Sequence, residues 1–123
     1  MKVKDLMNEP VKIEKDISLA EAAKIMCEKK TGSLLFISKD KIRGIVTERD
    51  ILKNFGKYKN ISSVMSPNII TIDPKADVND ALTVMKDNQI KRLPVIKEGK
   101  IIGIISLTDI AAHVDELDSD FFF

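Results

Sequence analysis

Two stretches of the chain set apolar and polar residues in the same order. Leu19, Ala22, Ala23 and Met26 recur at spacings of three and four, which makes one face of an α-helix, and Val78, Ala81, Leu82 and Met85 repeat the set. Ser18 opens the first helix with a Ser-x-x-Glu capping box closed by Glu21, and Asp77 holds the same place before the second. Two short apolar runs split by a charged turn follow each helix, at 34–37 and 42–47 and again at 93–96 and 101–106. Glu98-Gly99 suits a tight hairpin turn. Short β-prone pieces, Val11-Lys12-Ile13 and Ile70-Thr71-Ile72, precede the helices, the second of them ahead of an Asp73-Pro74 break. A further helix closes each stretch, from about Asp50 to Phe55 and from about Asp109 to Val114. The pattern therefore predicts β-α-β-β-α twice.

The duplication can be counted. A shift of 59 positions pairs residues 11–52 with 70–111 without a gap, and 11 of the 42 pairs are identical, where chance at this composition gives roughly three or four. Leu6-Met7 and Val64-Met65 match as well at a shift of 58, so each copy begins near its own methionine. This gives one repeat over 1–57, a second over 58–114, and an acidic, Phe-ending segment over 115–123. A unit of about 60 residues has too little core to stand alone. The expected fold is α/β, of the α+β kind, with the two copies packed sheet to sheet about a pseudo-twofold axis. The short link 56–60 holds them together.

Composition narrows the function. At 123 residues, 44% hydrophobic and 32% charged, the chain should bury a real core. Twenty Lys plus Arg against nineteen Asp plus Glu leave a net charge of +1, too little field to gather nucleic acid or anionic lipid. One cysteine, Cys27, and one histidine, His113, make neither an intrachain disulfide nor a zinc site. No apolar run approaches a membrane span and the N-terminus turns charged at once, so a cytoplasmic protein is expected. Cys27 has no neighbouring base, and His113 suits a helix C-terminus better than a reaction. Met26 and Met85 occupy helix core positions and are expected to fill the interface of the copies. No catalytic set emerges, and an enzyme is not expected.

The remaining shared pattern is Gly-apolar-apolar-[Ser/Thr]-x-x-Asp, at Gly44 to Asp50 and Gly103 to Asp109. Where a strand turns into a helix, Thr47 or Ser106 can cap the helix, and Asp50 or Asp109 can complete the cap. An ionised carboxylate so placed can instead accept both hydroxyls of a ribose diol, and the Gly admits a ligand or a backbone segment closely. The residues by themselves leave both readings open.

The twofold repeat, the methionine near each start, Thr71-Ile72-Asp73-Pro74, Arg92-Leu93-Pro94-Val95-Ile96 and the two Gly-to-Asp segments together resemble a tandem pair of cystathionine-β-synthase (CBS) domains, a Bateman module, over nearly all of residues 3–114. The resemblance implies a regulatory module that binds AMP, ADP, ATP or S-adenosylmethionine in clefts between the repeats and signals to a partner protein. No cofactor is required. It places ribose recognition on Asp50 and Asp109, with Thr47 and Ser106 at the sugar or phosphate and Arg49 and Thr108 on the same rim. Adenine contacts fall on Ile70, Thr71, Ile90 and Lys91 in copy two and on Val11, Thr31, Gly32 and Ser33 in copy one, while Lys91 and Arg92 are candidates to meet phosphate. Copy one departs by having Lys12 where copy two has Thr71, and Thr31-Gly32-Ser33 where copy two has Ile90-Lys91-Arg92, so the two sites are not equivalent. The resemblance also implies a homodimer. The competing reading is an oligomerisation or protein-interaction module without ligand, and nucleic-acid binding stands behind it for want of charge and aromatic residues.

Overall fold

The computed structural model describes residues 1–113, so the readings made for Val114 and for the 115–123 segment lie outside the described residues. In chain order the elements are α1 (Val3–Leu6), β1 (Lys12–Ile13), α2 (Leu19–Lys29), β2 (Ser33–Ser38), β3 (Lys41–Thr47), α3 (Glu48–Asn54), a 3-10 helix (Ile61–Ser63), α4 (Val78–Asn88), β4 (Arg92–Lys97), β5 (Lys100–Ser106) and α5 (Leu107–Ala112). The described residues form two compact units, Val11–Ile69 and Met1–Pro10 together with 70–113.

In the Val11–Ile69 unit the strand order is β1-β2-β3, with β1 parallel to β2 and β2 antiparallel to β3. The face carrying Ile13, Leu34 and Val46 buries itself against Leu19, Ala22 and Met26 of α2 and Ile51 of α3. The apolar stripe anticipated for α2 is thus the buried one. Ser18 caps that helix by accepting from the Glu21 N–H at 3.1 Å, and Lys30 ends it in the left-handed conformation. The β2–β3 turn is made by Lys39 and Asp40, both at positive φ (53° and 59°), the pairing that a two-residue hairpin of right-handed twist demands.

The second unit repeats this with β4 antiparallel to β5 and a turn at Glu98 (φ 51°) and Gly99 (φ 78°), the hairpin the sequence anticipates. Its core joins Val78, Ala81 and Met85 of α4 to Leu93, Val95, Ile105 and Ile110. Met26 and Met85 are each buried in the core of their own unit. The early piece 70–72 differs from its counterpart: only Ile72 pairs, through one parallel bridge to Val95, so the two-residue strand of copy one is reduced to a single bridge. The closing helices begin two residues earlier than the periodicity places them, because Thr47 and Ser106 cap them and Asp50 and Asp109 fall in their first turns.

Each unit takes its first short helix from the other repeat in sequence. Val3 and Leu6 of α1 belong to the core built by α4, β4 and β5, while Ile61 belongs to the core built by α2, β2 and β3. The backbone pairs are equivalent: Val3 N–H donates to the Ala76 carbonyl and Ile61 N–H to the Ile17 carbonyl, both at 2.9 Å.

Candidate functional site

The site residues converge where the last strand of each unit turns into its closing helix. In the Val11–Ile69 unit Thr47 N–H donates to Asp50 Oδ2 at 2.9 Å, the Thr47 hydroxyl donates to the same oxygen at 3.0 Å, and Asp50 N–H donates back to Thr47 Oγ1 at 3.4 Å. In the other unit Ser106 N–H donates to Asp109 Oδ2 and Asp109 N–H to Ser106 Oγ, both at 3.0 Å. Both are complete capping boxes. None of these bonds uses Oδ1. A carboxylate offers about four lone-pair sites, so each Asp ties its helix and keeps acceptor capacity for a hydroxyl from outside. The carboxylates and their hydroxyl partners are half-buried.

The far end of each short helix is closed at matching positions. Asn54 Nδ2 donates to the Asp50 carbonyl at 2.8 Å, and His113 Nδ1 lies 2.9 Å from the Asp109 carbonyl. A carbonyl only accepts, so this contact selects the tautomer with its proton on Nδ1. His113 is therefore a helix-end residue, as its position in the sequence suggests.

The segment entering the first hairpin strand lies against this corner. Ser33 pairs with Thr47, and Glu48 N–H donates to the Gly32 carbonyl at 3.1 Å. Thr31 Oγ1 donates to the Ser33 carbonyl at 3.2 Å, which folds the segment on itself. In the other unit Arg92 pairs with Ser106, and Leu107 N–H donates to the Lys91 carbonyl at 2.8 Å. Residues 31–33 and 90–92 thus share a corner with Thr47–Asp50 and Ser106–Asp109 respectively. Arg49 and Thr108 stand exposed on the first turns of α3 and α5, and Lys91 is exposed beside the latter.

The early-strand candidates stand one strand away. Lys12 pairs with Leu35, itself paired with Ile45 on the other side, and the Val11 carbonyl accepts from Leu35 N–H at 2.9 Å. Thr71 is exposed next to Ile72, whose N–H donates to the Pro94 carbonyl at 3.0 Å. Val11, Ile70 and Ile90 pack on their own unit's core and are half-buried, so a part of each aliphatic surface stays exposed. Ser33 is buried, so what it brings to the corner is chiefly backbone.

The two shared glycines admit a chain segment closely, as the motif allows, and in both units the nearest group is a methionine side chain. A Cβ on Gly44 would stand 2.6 Å from Met65 Sδ and 3.1 Å from the Ser66 carbonyl oxygen, and a Cβ on Gly103 would stand 2.6 Å from Met7 Sδ. The space is filled by the methionine that opens the other repeat. Met7 and Met65 were visible in the sequence as matched positions, but with no partner assigned.

Among the described residues no cluster of three His, Cys, Asp or Glu side chains is placed to hold a metal ion, and no helix is long and apolar enough to cross a membrane. Cys27 is an exposed free thiol. Among the described residues one carboxylate departs clearly from its ordinary value, and it lies outside the corners: Asp77 is lowered, chiefly by the hydrogen bond from Asn79 N–H, with the N-terminal amino group and Lys2 adding positive charge against the opposing effect of burial.

Two closely matched repeats, each a small sheet with a capped strand-to-helix corner, define a paired α/β module. The CBS domain matches the chain twice, over residues 3–57 and 61–116, and the chain belongs to that family as a CBS domain pair. It is 38% identical over 104 residues to an uncharacterised 17.7 kDa protein of Acidianus ambivalens, a match covering 80% of this chain and 63% of that protein. It is 36% identical over 118 residues to homoserine O-acetyltransferase of Methanohalobium evestigatum, covering 93% of this chain and 24% of the enzyme. The chain thus spans less than two thirds of either relative. Among solved structures, the CBS domain pair of protein MJ0100 in complex with 5′-methylthioadenosine and S-adenosyl-L-methionine matches with a TM-score of 0.87 at 28% identity, over 94% of this chain and 97% of that one.

Proposed function

We propose that this CBS pair is a regulatory module that binds an adenosine-containing ligand and passes its occupancy to a partner protein. The observation that carries the reading is the carboxylate repeated at both corners, which caps its helix through Oδ2 and leaves Oδ1 outside the cap. Asp50 and Asp109 accept ribose hydroxyls, Thr47 and Ser106 lie beside the sugar or phosphate, and Arg49, Thr108, Lys91 and Arg92 form the polar rim. Val11, Lys12, Thr31, Gly32 and Ser33 in one unit, and Ile70, Thr71 and Ile90 in the other, supply backbone and aliphatic surface for adenine. The MJ0100 pair, solved with two adenosine-containing ligands, supports this class of ligand. The match to about a quarter of an acetyltransferase supports a module that serves a larger machinery.

Binding rather than turnover is the proposed activity, and a homodimer the proposed assembly. A ligand moves such a module only as far as its affinities for two arrangements differ. Calorimetric titration of ligand-free protein with AMP, ADP, ATP, S-adenosylmethionine and 5′-methylthioadenosine tests the reading. At a hundred times its dissociation constant a ligand should raise stability by about 2.7 kcal/mol. Binding should fall in Asp50→Asn or Asp109→Asn, which keep an oxygen for the cap. Silence with all five ligands overturns the proposal.

A second reading draws on Asp50, whose Oδ2 already takes two hydrogen bonds. If both carboxylates serve only their caps, the chain is an interaction module. Self-association by light scattering would then be indifferent to every adenosine compound.

A further inference from the structure

The two corners share a backbone frame and differ in what they can donate. Glu48 N–H donates to the Gly32 carbonyl as Leu107 N–H does to the Lys91 carbonyl, and Ser33 pairs with Thr47 as Arg92 pairs with Ser106. Equivalent positions can therefore be compared one by one. On the strand side the Ser106–Asp109 corner has two cations, exposed Lys91 and half-buried Arg92, where the Thr47–Asp50 corner has Gly32 and buried Ser33. On the helix side it has the uncharged Leu107 and Thr108, where the other sets Glu48 before Arg49, so that its cation stands next to a second carboxylate. Two further lysines of copy one stand outside the corner, Lys12 on β1 and Lys30 at the end of α2.

The hydroxyls differ as well. A hydroxyl has one proton to give and two lone pairs with which to accept. Thr47 and Ser106 both accept from the N–H of their Asp, but Thr47 also gives its proton to Asp50 Oδ2 at 3.0 Å. Among the described residues the Ser106 hydroxyl donates to nothing, so its proton is available to a ligand. A phosphate is an anionic acceptor: it gains from unspent donors and cations and loses beside a carboxylate. Resting on the adenosine reading above, we propose that the two corners divide that ligand class. The Ser106–Asp109 corner takes a 5′-phosphorylated adenosine, and the Thr47–Asp50 corner takes one whose 5′ substituent carries no phosphate. Both carboxylates hold ribose. Lys91, Arg92 and the Ser106 hydroxyl meet phosphate at the one, and Glu48 repels it at the other.

Calorimetry on the ligand-free full chain with two probes, AMP and 5′-methylthioadenosine, tests the division. Asp109→Asn should weaken AMP more than 5′-methylthioadenosine, and Asp50→Asn should do the reverse. Lys91→Ala should lower the affinity for AMP about tenfold relative to that for 5′-methylthioadenosine. Lys91 is exposed and its carbonyl, not its side chain, holds the corner, so this substitution keeps the frame. Ser106→Ala should act in the same sense as Lys91→Ala, and Thr47→Ala should not. Rising salt should weaken AMP more steeply than 5′-methylthioadenosine. Equal losses of the two probes in Asp50→Asn and in Asp109→Asn, or an AMP preference untouched by both Lys91→Ala and Ser106→Ala, overturn the division while leaving adenosine binding in place. Silence with both probes overturns the adenosine reading itself, and the division with it.

Discussion

Met7 Sδ lies 2.6 Å from where a Cβ on Gly103 would stand, although the two residues are 96 positions apart. Met65 stands in the same relation to Gly44. Each repeat therefore opens with a thioether that seats on the glycine of the other repeat's last strand, and the motif glycine is explained by packing alone.

Gly103→Ala should cost about 1–3 kcal/mol, because overpacking forces the Met7 side chain out of its seat. Met7→Ala removes Sδ and Cγ but keeps its Cβ at 3.2 Å, so it should recover part of the loss. At Gly44 the Ser66 carbonyl likewise stays at 3.1 Å once Met65 is shortened, and its residue is pinned by pairing with Ile45. Met65→Ala should therefore rescue Gly44→Ala in part as well. Urea unfolding of the two double-mutant cycles measures this, and no rescue at either site would contradict it.

Much of this architecture is legible in the sequence, and the reason is local. The helices α2 and α4, the Glu98-Gly99 turn and the two Ser/Thr-x-x-Asp caps are set by residues within four positions of one another. The exchange of leading segments is not legible. A four-residue helix such as α1 has too little pattern of its own to name its core, and its partners Ala76 and Gly103 are tens of residues away. The site was half legible for a related reason. Sequence places Asp50 and Asp109 at the corners, but a capping carboxylate and a sugar-binding one have the same spacing, and only the hydrogen bonds reveal which oxygen the cap takes.

The caps themselves predict a pair of similar losses. Ser106→Ala removes the acceptor for Asp109 N–H, and Thr47→Ala the acceptor for Asp50 N–H. Each should cost about 1 kcal/mol. In Thr47→Ala, Asp50 Oδ2 loses one of its two donors, so adenosine affinity should change more there than in Ser106→Ala. Thermal melts with and without ligand separate the two effects.

Asp77 gives a pH dependence with a definite sign. Its folded-state value is depressed, so its contribution is fully present above the unfolded value of about 3.9 and is lost as pH falls through the lower folded value. The Tm difference between the parent and Asp77→Asn should therefore be largest above that unfolded value and shrink on acidification below it. A difference that grows as pH falls would contradict a depressed folded-state value for Asp77.

Asp16 shows how the two units solve one problem with different atoms. In the unit holding α1, Lys4 N–H donates to the Pro74 carbonyl at 3.0 Å, a bond no side-chain substitution can remove. At the matching place in the other unit Ser62 N–H donates instead to Asp16 Oδ1 at 3.1 Å, and the Ser62 hydroxyl donates to Oδ2 at 2.6 Å. A side chain here does the work of a backbone carbonyl across 46 residues. Asp16→Ala should therefore loosen the 3-10 helix and cost about 1 kcal/mol, below the usual range for charged acceptors because the group is exposed. Lys75 occupies the equivalent position, and its own recorded bond, from its N–H to Asp73 Oδ1 at 2.8 Å, survives truncation. Lys75→Ala should be nearly neutral. Hydrogen exchange at Ser62, Ser63 and Met65 checks the local effect, which should be faster in Asp16→Ala and unchanged in Lys75→Ala. Equal protection in both variants would mean that the Ile61-to-Ile17 bond alone secures the exchanged segment.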